Sequence, residues 1–373
     1  MSLRKHWPLI AAALLVFPAT VRATNIDFTT FVSGSSIASA EAGSVEDSGS
    51  NSTIAFTYAG NEFVGSNYFD NQLYSTSLNG VTVTKFGAVL PESSASVGEV
   101  VIGASLGNGG FANGAVFVGS QADGIIHQYA NGSGPSTPSS VFATLPATVG
   151  GQGTGVIRQI FFDPGSGFAG DMLVATSTGF VFKVTSAGVV TLLASVGEDT
   201  EGMDIAPSGF GTLAGDLLVG SEGSGTLRAI SSAGVVTVVG SPGEFPGGET
   251  ISAIPTGLDP TNSLEGFYVA NYPNNIQFAA ASDFTSIEGS VIVTDETGGD
   301  TAWDVTWNGS SFVSTPFSFT GNNIQQFEDG IFVTPQRVNE GGGGNVVPEP
   351  SSLILLGTSL LGLGGTLKRK FFA

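Results

Sequence analysis

The chain contains no cysteine. Neither a disulfide framework nor a thiolate metal or redox site can form, so stability must come from a packed core. Histidine is nearly as scarce. His6 and His127 are the whole supply, too few for a zinc centre built from several imidazoles. Basic residues are few and unevenly placed. Arg4, Lys5, Arg22, Lys368, Arg369 and Lys370 lie at the two ends, and only Lys85, Arg158, Lys183, Arg228 and Arg337 lie between residues 24 and 347. That interval holds thirty acidic residues, so its net charge is −25. Such a surface repels phosphate backbones, and no nucleic-acid partner is expected. It attracts divalent cations or cationic surfaces, although solubility outside the cell is the plainer explanation.

Apolar runs of full membrane-spanning length are missing too. Two shorter ones sit at the ends. In "MSLRKHWPLIAAALLVFPATVRA" a positive start is followed by an apolar stretch over Pro8 to Ala19 and then by Val21-Arg22-Ala23. This pattern predicts a secretory signal peptide over 1–23, cleaved after Ala23. A retained anchor is the competing reading, and the short apolar run disfavours it. At the other end, Leu353 to Leu367 is fifteen uncharged residues. As a helix it spans roughly 22 Å against a hydrocarbon core of roughly 30 Å, so it is a marginal membrane element. The basic cluster Lys368-Arg369-Lys370 keeps the C-terminus inside and the body outside. Upstream, the glycine-rich 339–346 reads as a flexible linker.

These terminal residues resemble the PEP-CTERM sorting signal. Val347-Pro348-Glu349-Pro350, the apolar run and Lys368-Arg369-Lys370 carry the likeness, which covers only 347–373. It implies export, transient attachment to the inner membrane through the C-terminal helix, and handling by an exosortase, a membrane protease-transpeptidase. Release to the cell surface or extracellular matrix would follow. A simple C-terminal anchor is the alternative. Some ice-binding proteins carry such tails, but the tail alone is no evidence of ice binding.

What the body has in plenty is glycine, 55 residues without a collagen period, among many Val, Ile, Thr and Phe. That mixture predicts short strands and tight turns. It also repeats. Gly170-Asp171 recurs at Gly215-Asp216, and Ala187-Gly188-Val189-Val190 at Ala233-Gly234-Val235-Val236. A period near 45 residues with several strands per unit predicts a β-propeller of four-stranded blades. The length allows six or seven of them, with a closing blade drawn from both termini. A β-sandwich leaves the echo unexplained, and a β-helix has shorter coils. "ISAIPTGLDPTNSLEGFYVAN" repeats the first-strand and second-strand pattern of one blade. The expected layout is a signal peptide over 1–23, an irregular lead-in over 24–53, the propeller over 54–338, the linker over 339–346 and the sorting signal over 347–373.

Six residues before each first-strand proline stands a charged side chain. Pro164 leads back to Arg158, Pro207 to Glu201 and Pro255 to Glu249. First strands line the axial channel of a propeller, so these should form a ring, with Asp204, Glu99 and Asp300 near it. Arg158, Glu201, Asp204 and Glu249 are therefore the candidate channel ligands for a substrate or metal. The carboxylates suit Ca²⁺ or Mg²⁺, and an ordinary ion pair between Glu201 and Arg158 is the competing explanation. "GEDTEGMD", with Glu198, Asp199, Glu201 and Asp204, lacks EF-hand spacing. The body resembles secreted propellers of the NHL and gluconolactonase types, which implies a ligand or metal site at one channel mouth. His127 alternates with apolar neighbours on a predicted strand, and no Ser-His-Asp set is apparent, so no catalytic residue is assigned. Trp303 and Trp307 fit a core position between blades better than a sugar platform.

These readings make the protein an exported, non-enzymatic binding or structural propeller. No organic cofactor is expected, and exopolysaccharide or divalent cations are the expected partners. A metal-dependent, lactonase-like hydrolase is the alternative. Intact-mass analysis of secreted material should show a chain that begins at Thr24 and ends near Pro350. A product that keeps Lys368 to Lys370 would mean that the tail stays attached.

Overall fold

The computed structural model describes residues 25–42, 52–165, 167–296, 302–321 and 324–334. The signal peptide with its Ala23 cleavage site, Asp300, Arg337, the linker and the sorting signal lie outside them. Six sheets stand around one axis. Blade one consists of Thr53–Tyr58, Phe63–Asn67, Leu73–Thr76 and Val83–Phe86. Blade two consists of Val100–Ala104, Val116–Ser120, Ile125–Tyr129 and Ser140–Thr144. Blade three consists of Ile157–Phe162, Met172–Thr176, Phe180–Val184 and Val190–Ser195. Blade four consists of Glu201–Ile205, Leu217–Ser221, Thr226–Ile230 and Val236–Val238. Blade five consists of Gly248–Ala253, Val291–Asp295, Ala302–Trp307 and Phe312–Pro316. All five are antiparallel sheets written from the axis outward, and the first four are simple meanders.

Blade six differs. From the axis outward it runs Gln326–Val333, Gly266–Tyr272, Asn275–Ala280, Asn25–Ser33 and Ser318–Gly321. The inner strands neighbour one another from blade to blade, and that of blade six touches those of blades five and one, so the ring closes. The blade count is six, within the expected six or seven. Two expectations are corrected. The lead-in is not irregular throughout, because Asn25–Ser33 is a strand of the closing blade and Gly34–Glu41 is a helix. Gly266–Tyr272 is not the second strand beside Gly248–Ala253 but belongs to the next blade. The chain leaves blade five after one strand, lays a hairpin into blade six, and returns. "GFYVANY" and "SVIVTD" both read as apolar strands, so periodicity could not tell which one follows the inner strand of blade five.

Six hydrophobic clusters fill the six gaps between blades. Alternate side chains of one strand serve two gaps. Met172 and Val174 pack toward blade two, while Leu173 and Ala175 pack toward blade four. A strand buried on both faces must be apolar at every position, which is why the second strands read as unbroken hydrophobic runs. Trp303 packs edge-on to Phe245 in the gap between blades four and five, at 5.4 Å between ring centroids.

The repeated Ala-Gly-Val-Val has a structural cause. Gly188 and Gly234 make the turn into the outer strands of blades three and four with φ of 74° and 79°. Each turn also tucks beneath the preceding blade. A Cβ on Gly234 would come within 2.2 Å of the Leu193 carbonyl oxygen. Gly234→Ala should therefore lower stability to urea by about 1–3 kcal/mol. Gly223→Ala, whose Cβ would meet nothing within 4 Å, should change it little. Equal urea midpoints for the two variants would contradict this packing.

Candidate functional site: an acidic channel mouth

The inner strands all begin at the same end of the channel, and several begin with a bulge. Register shifts fall between Thr53 and Ala55, Ile157 and Gln159, Glu201 and Met203, and Gly248 and Ile251. A bulge bends a strand and re-aims the side chains beside it. Arg158, Glu201 and Glu249 stand at three of these bulges and meet at the mouth. Gly202 makes the approach feasible. Its φ is 58°, and a Cβ there would lie 2.0 Å from the Glu249 carbonyl oxygen.

Arg158 is the hub. Its guanidinium lies 2.8 Å from Asp199 and 2.7 Å from Glu201, is paired with Glu99, and reaches Glu222 at 3.9 Å. Burial works against its charge, but Asp199, Glu201 and Glu99 outweigh burial and hold it protonated. Gln121 donates to Glu99 at 2.7 Å. Beside this half lies a second one. Carboxylate oxygens of Glu249, Glu296 and Glu328 fall within 4.8 Å of one another. Gln326 donates to Glu296 at 3.3 Å. Glu249 forms a hydrogen bond with Glu201, yet its buried Oε2 has no hydrogen-bond partner.

The crowding shows in the acid strengths. Burial, followed by the charges of Glu99 and Glu222, pushes Glu201 up to about 7, against the pull of Glu249 and Arg158. Burial and the neighbouring Glu222 push Glu296 up to about 8. Glu249 and Glu328 are raised by burial first and by adjacent carboxylates second.

The two halves differ in their fit to a metal. Asp199, Glu201 and Glu222 could cluster around an ion, but the guanidinium of Arg158 already stands among them. Among the described residues, no basic side chain is paired with Glu249, Glu296 or Glu328, and the orphaned Glu249 Oε2 is a ready ligand. Three carboxylates suit Ca²⁺ or Mg²⁺. An ion there would supply positive charge that offsets their mutual repulsion.

The structure brings Arg158, Glu201, Glu249 and Glu99 together but places Asp204 elsewhere. Asp204 lies three residues farther along its strand, deeper in the channel, where it accepts N–H bonds from Ala253 at 2.8 Å and Ile205 at 2.6 Å. A strand that passes the mouth at Glu201 cannot also present Asp204 there. Glu222, Glu296 and Glu328 were missed by sequence reasoning. A signal existed: Gln121, Glu222 and Glu296 each stand one residue past a second strand, after "VFVGS", "LLVGS" and "VIVTD". Ser139, His127 and Glu92 line up as well, which the sequence did not suggest. Glu92 lies 2.6 Å from His127 Nε2, but Ser139 is 3.5 Å from Nδ1, a weak contact. His127 is 4% exposed on the third strand of blade two, away from the axis. The set ties that strand to the Glu92 loop.

The comparisons with known proteins bear on the tail and on the architecture. Residues 346–370 are a PEP-CTERM protein-sorting motif. The PEP-CTERM motif implies an exported protein, carried through the membrane to the cell surface and processed by an exosortase, a membrane protein. Among the described residues no helix is long and apolar enough to cross a membrane. No curated protein matches the chain. Solved β-propellers are similar to it. The calcium-binding protein regucalcin from Agrobacterium tumefaciens strain C58 is 13% identical, with TM-score 0.49 and 85% of each chain covered. A streptogramin B lyase is 11% identical, with TM-score 0.46, covering 84% of this chain and 93% of its own. Virginiamycin B lyase from Staphylococcus aureus is 14% identical, with TM-score 0.45, covering 72% of this chain and 70% of its own. The propellers similar to this PEP-CTERM chain are thus of the NHL, gluconolactonase and streptogramin B lyase types.

The raised pKa values of these carboxyl groups fix the sign of a pH effect. A carboxyl group whose folded pKa exceeds its unfolded value binds protons on folding, so its contribution is complete below about 4.5 and is lost as pH rises through the folded value. Without divalent cations, thermal stability should fall between about pH 5 and pH 8, and Glu296→Gln should flatten the fall. A melting temperature that climbs steadily over this range would contradict the arrangement of the mouth.

Proposed function

We propose that this exported PEP-CTERM protein works outside the cell as a binding propeller rather than as an enzyme, and that its channel mouth holds a divalent cation. The observation that carries the proposal is the unequal split of the acids. Arg158 pairs with Glu99, Asp199 and Glu201, while Glu249, Glu296 and Glu328 converge without a basic partner among the described residues. A divalent ion offsets their repulsion in a way that water cannot. With coordination positions left for other oxygens, such an ion would let the mouth grip an anionic polysaccharide of the extracellular matrix. His127 is buried away from the channel, and that favours binding over proton-transfer catalysis.

One observation favours the alternative, a metal-dependent, lactonase-like hydrolase. Glu201, pushed to about 7 and bonded to Glu249, is tuned as a general base at neutral pH would be. Calorimetry at pH 8 separates the two readings. CaCl₂ or MgCl₂ should bind the wild type, and Glu249→Gln with Glu328→Gln should weaken binding by about tenfold or more. No ion binding in the wild type would sink the proposal. Calcium-dependent hydrolysis of δ-gluconolactone that disappears in Glu201→Gln would replace it with the enzymatic reading.

A further inference from the structure

Below the acidic mouth the channel turns apolar. From the level of Gln159 and Asp329 to the far end at Pro164, Pro207 and Pro255 it encloses a cavity of about 300 Å³. Ile102, Phe161, Met203, Ile205, Ile251 and Ile331 form much of the wall, and among the described residues no lysine, arginine or histidine lines it. Asp329 and Thr334 both line it, five residues apart on one chain, a distance of roughly 16 Å at about 3.3 Å per residue. The space is therefore long and narrow, with room for on the order of ten water-sized groups.

Two carboxylates enter this wall. Asp204 is engaged by the backbone N–H groups of Ile205 and Ala253. Asp329, at the end nearest Arg158, accepts 2.8 Å from the side-chain amide of Gln159, a neutral donor. A carboxylate set in an apolar wall gains most from a partner that brings both a cation and hydrocarbon. A bare metal ion would leave the apolar length unfilled, and a neutral lipid would leave the acid unmatched.

We propose that this lower chamber binds a short-chain aliphatic primary amine, with its ammonium on Asp329 and its alkyl chain along the apolar wall toward Thr334. The chamber is separate from the cation site at the mouth, and the two can be tested independently.

Titration calorimetry of the secreted protein at pH 8 provides the test, with n-hexylamine, 1-hexanol and methylamine as probes. Hexylamine should bind about tenfold or more tightly than hexanol, which lacks the charge, and than methylamine, which lacks the chain. Asp329→Asn should erase the advantage over hexanol and leave calcium binding intact. Ala104→Leu, which fills the chamber, should weaken hexylamine and hexanol alike. Glu249→Gln should leave hexylamine unchanged, because an ammonium held at the acidic mouth would be lost there instead. Equal affinity for hexylamine and methylamine, or loss in Glu249→Gln, would overturn the proposal.

Discussion

Closing six twisted sheets around one axis forces the beginnings of six inner strands into a small space, and most of this molecule follows from that convergence. In an acidic chain the meeting point becomes a ring of carboxylates that cannot all ionise beside one another. Arg158 offsets only part of the charge. The remainder shows as raised pKa values, and so weakened acids, at Glu249, Glu296 and Glu328. The mouth is therefore the place where the fold concentrates electrostatic repulsion, which the proposed divalent cation would relieve.

Closure itself is achieved twice over. The N-terminal strand Asn25–Ser33 lies between Asn275–Ala280 and Ser318–Gly321, so both ends of the propeller share one sheet. The hairpin Gly266–Ala280, borrowed from the middle of blade five, interlocks that sheet with its neighbour. A ring held only by its termini can open by fraying. A ring whose last blade contains an internal hairpin of the preceding one cannot open there without unfolding two blades. A chain without disulfides gains mechanical security in this way.

The channel has two ends of different chemistry. The mouth, where inner strands begin and second strands end, is acidic and presents oxygen ligands. The far end, where inner strands finish at Pro164, Pro207 and Pro255, is apolar. The described chain finishes at this far end, with Thr334 in the wall of the lower cavity.

The sequence by itself determined a good deal. The 45-residue echo, with Gly188 and Gly234 at equivalent turns, specifies blades, because those turns need a left-handed backbone that glycine adopts at no steric cost. The Pro-Glu-Pro box and basic end specify sorting, because a short linear signal is read without a fold. Counting back from the blade prolines found Arg158, Glu201 and Glu249, because equal offsets on equivalent strands map onto one ring. Only the tertiary structure decided the rest. That Gly266–Tyr272 belongs to blade six, that Asp204 leaves the mouth, and that Glu222, Glu296 and Glu328 complete it, all depend on pairing between segments far apart in the chain. Local pattern carries no record of which neighbour a strand will find, and strands buried on both faces look alike whichever sheet they join.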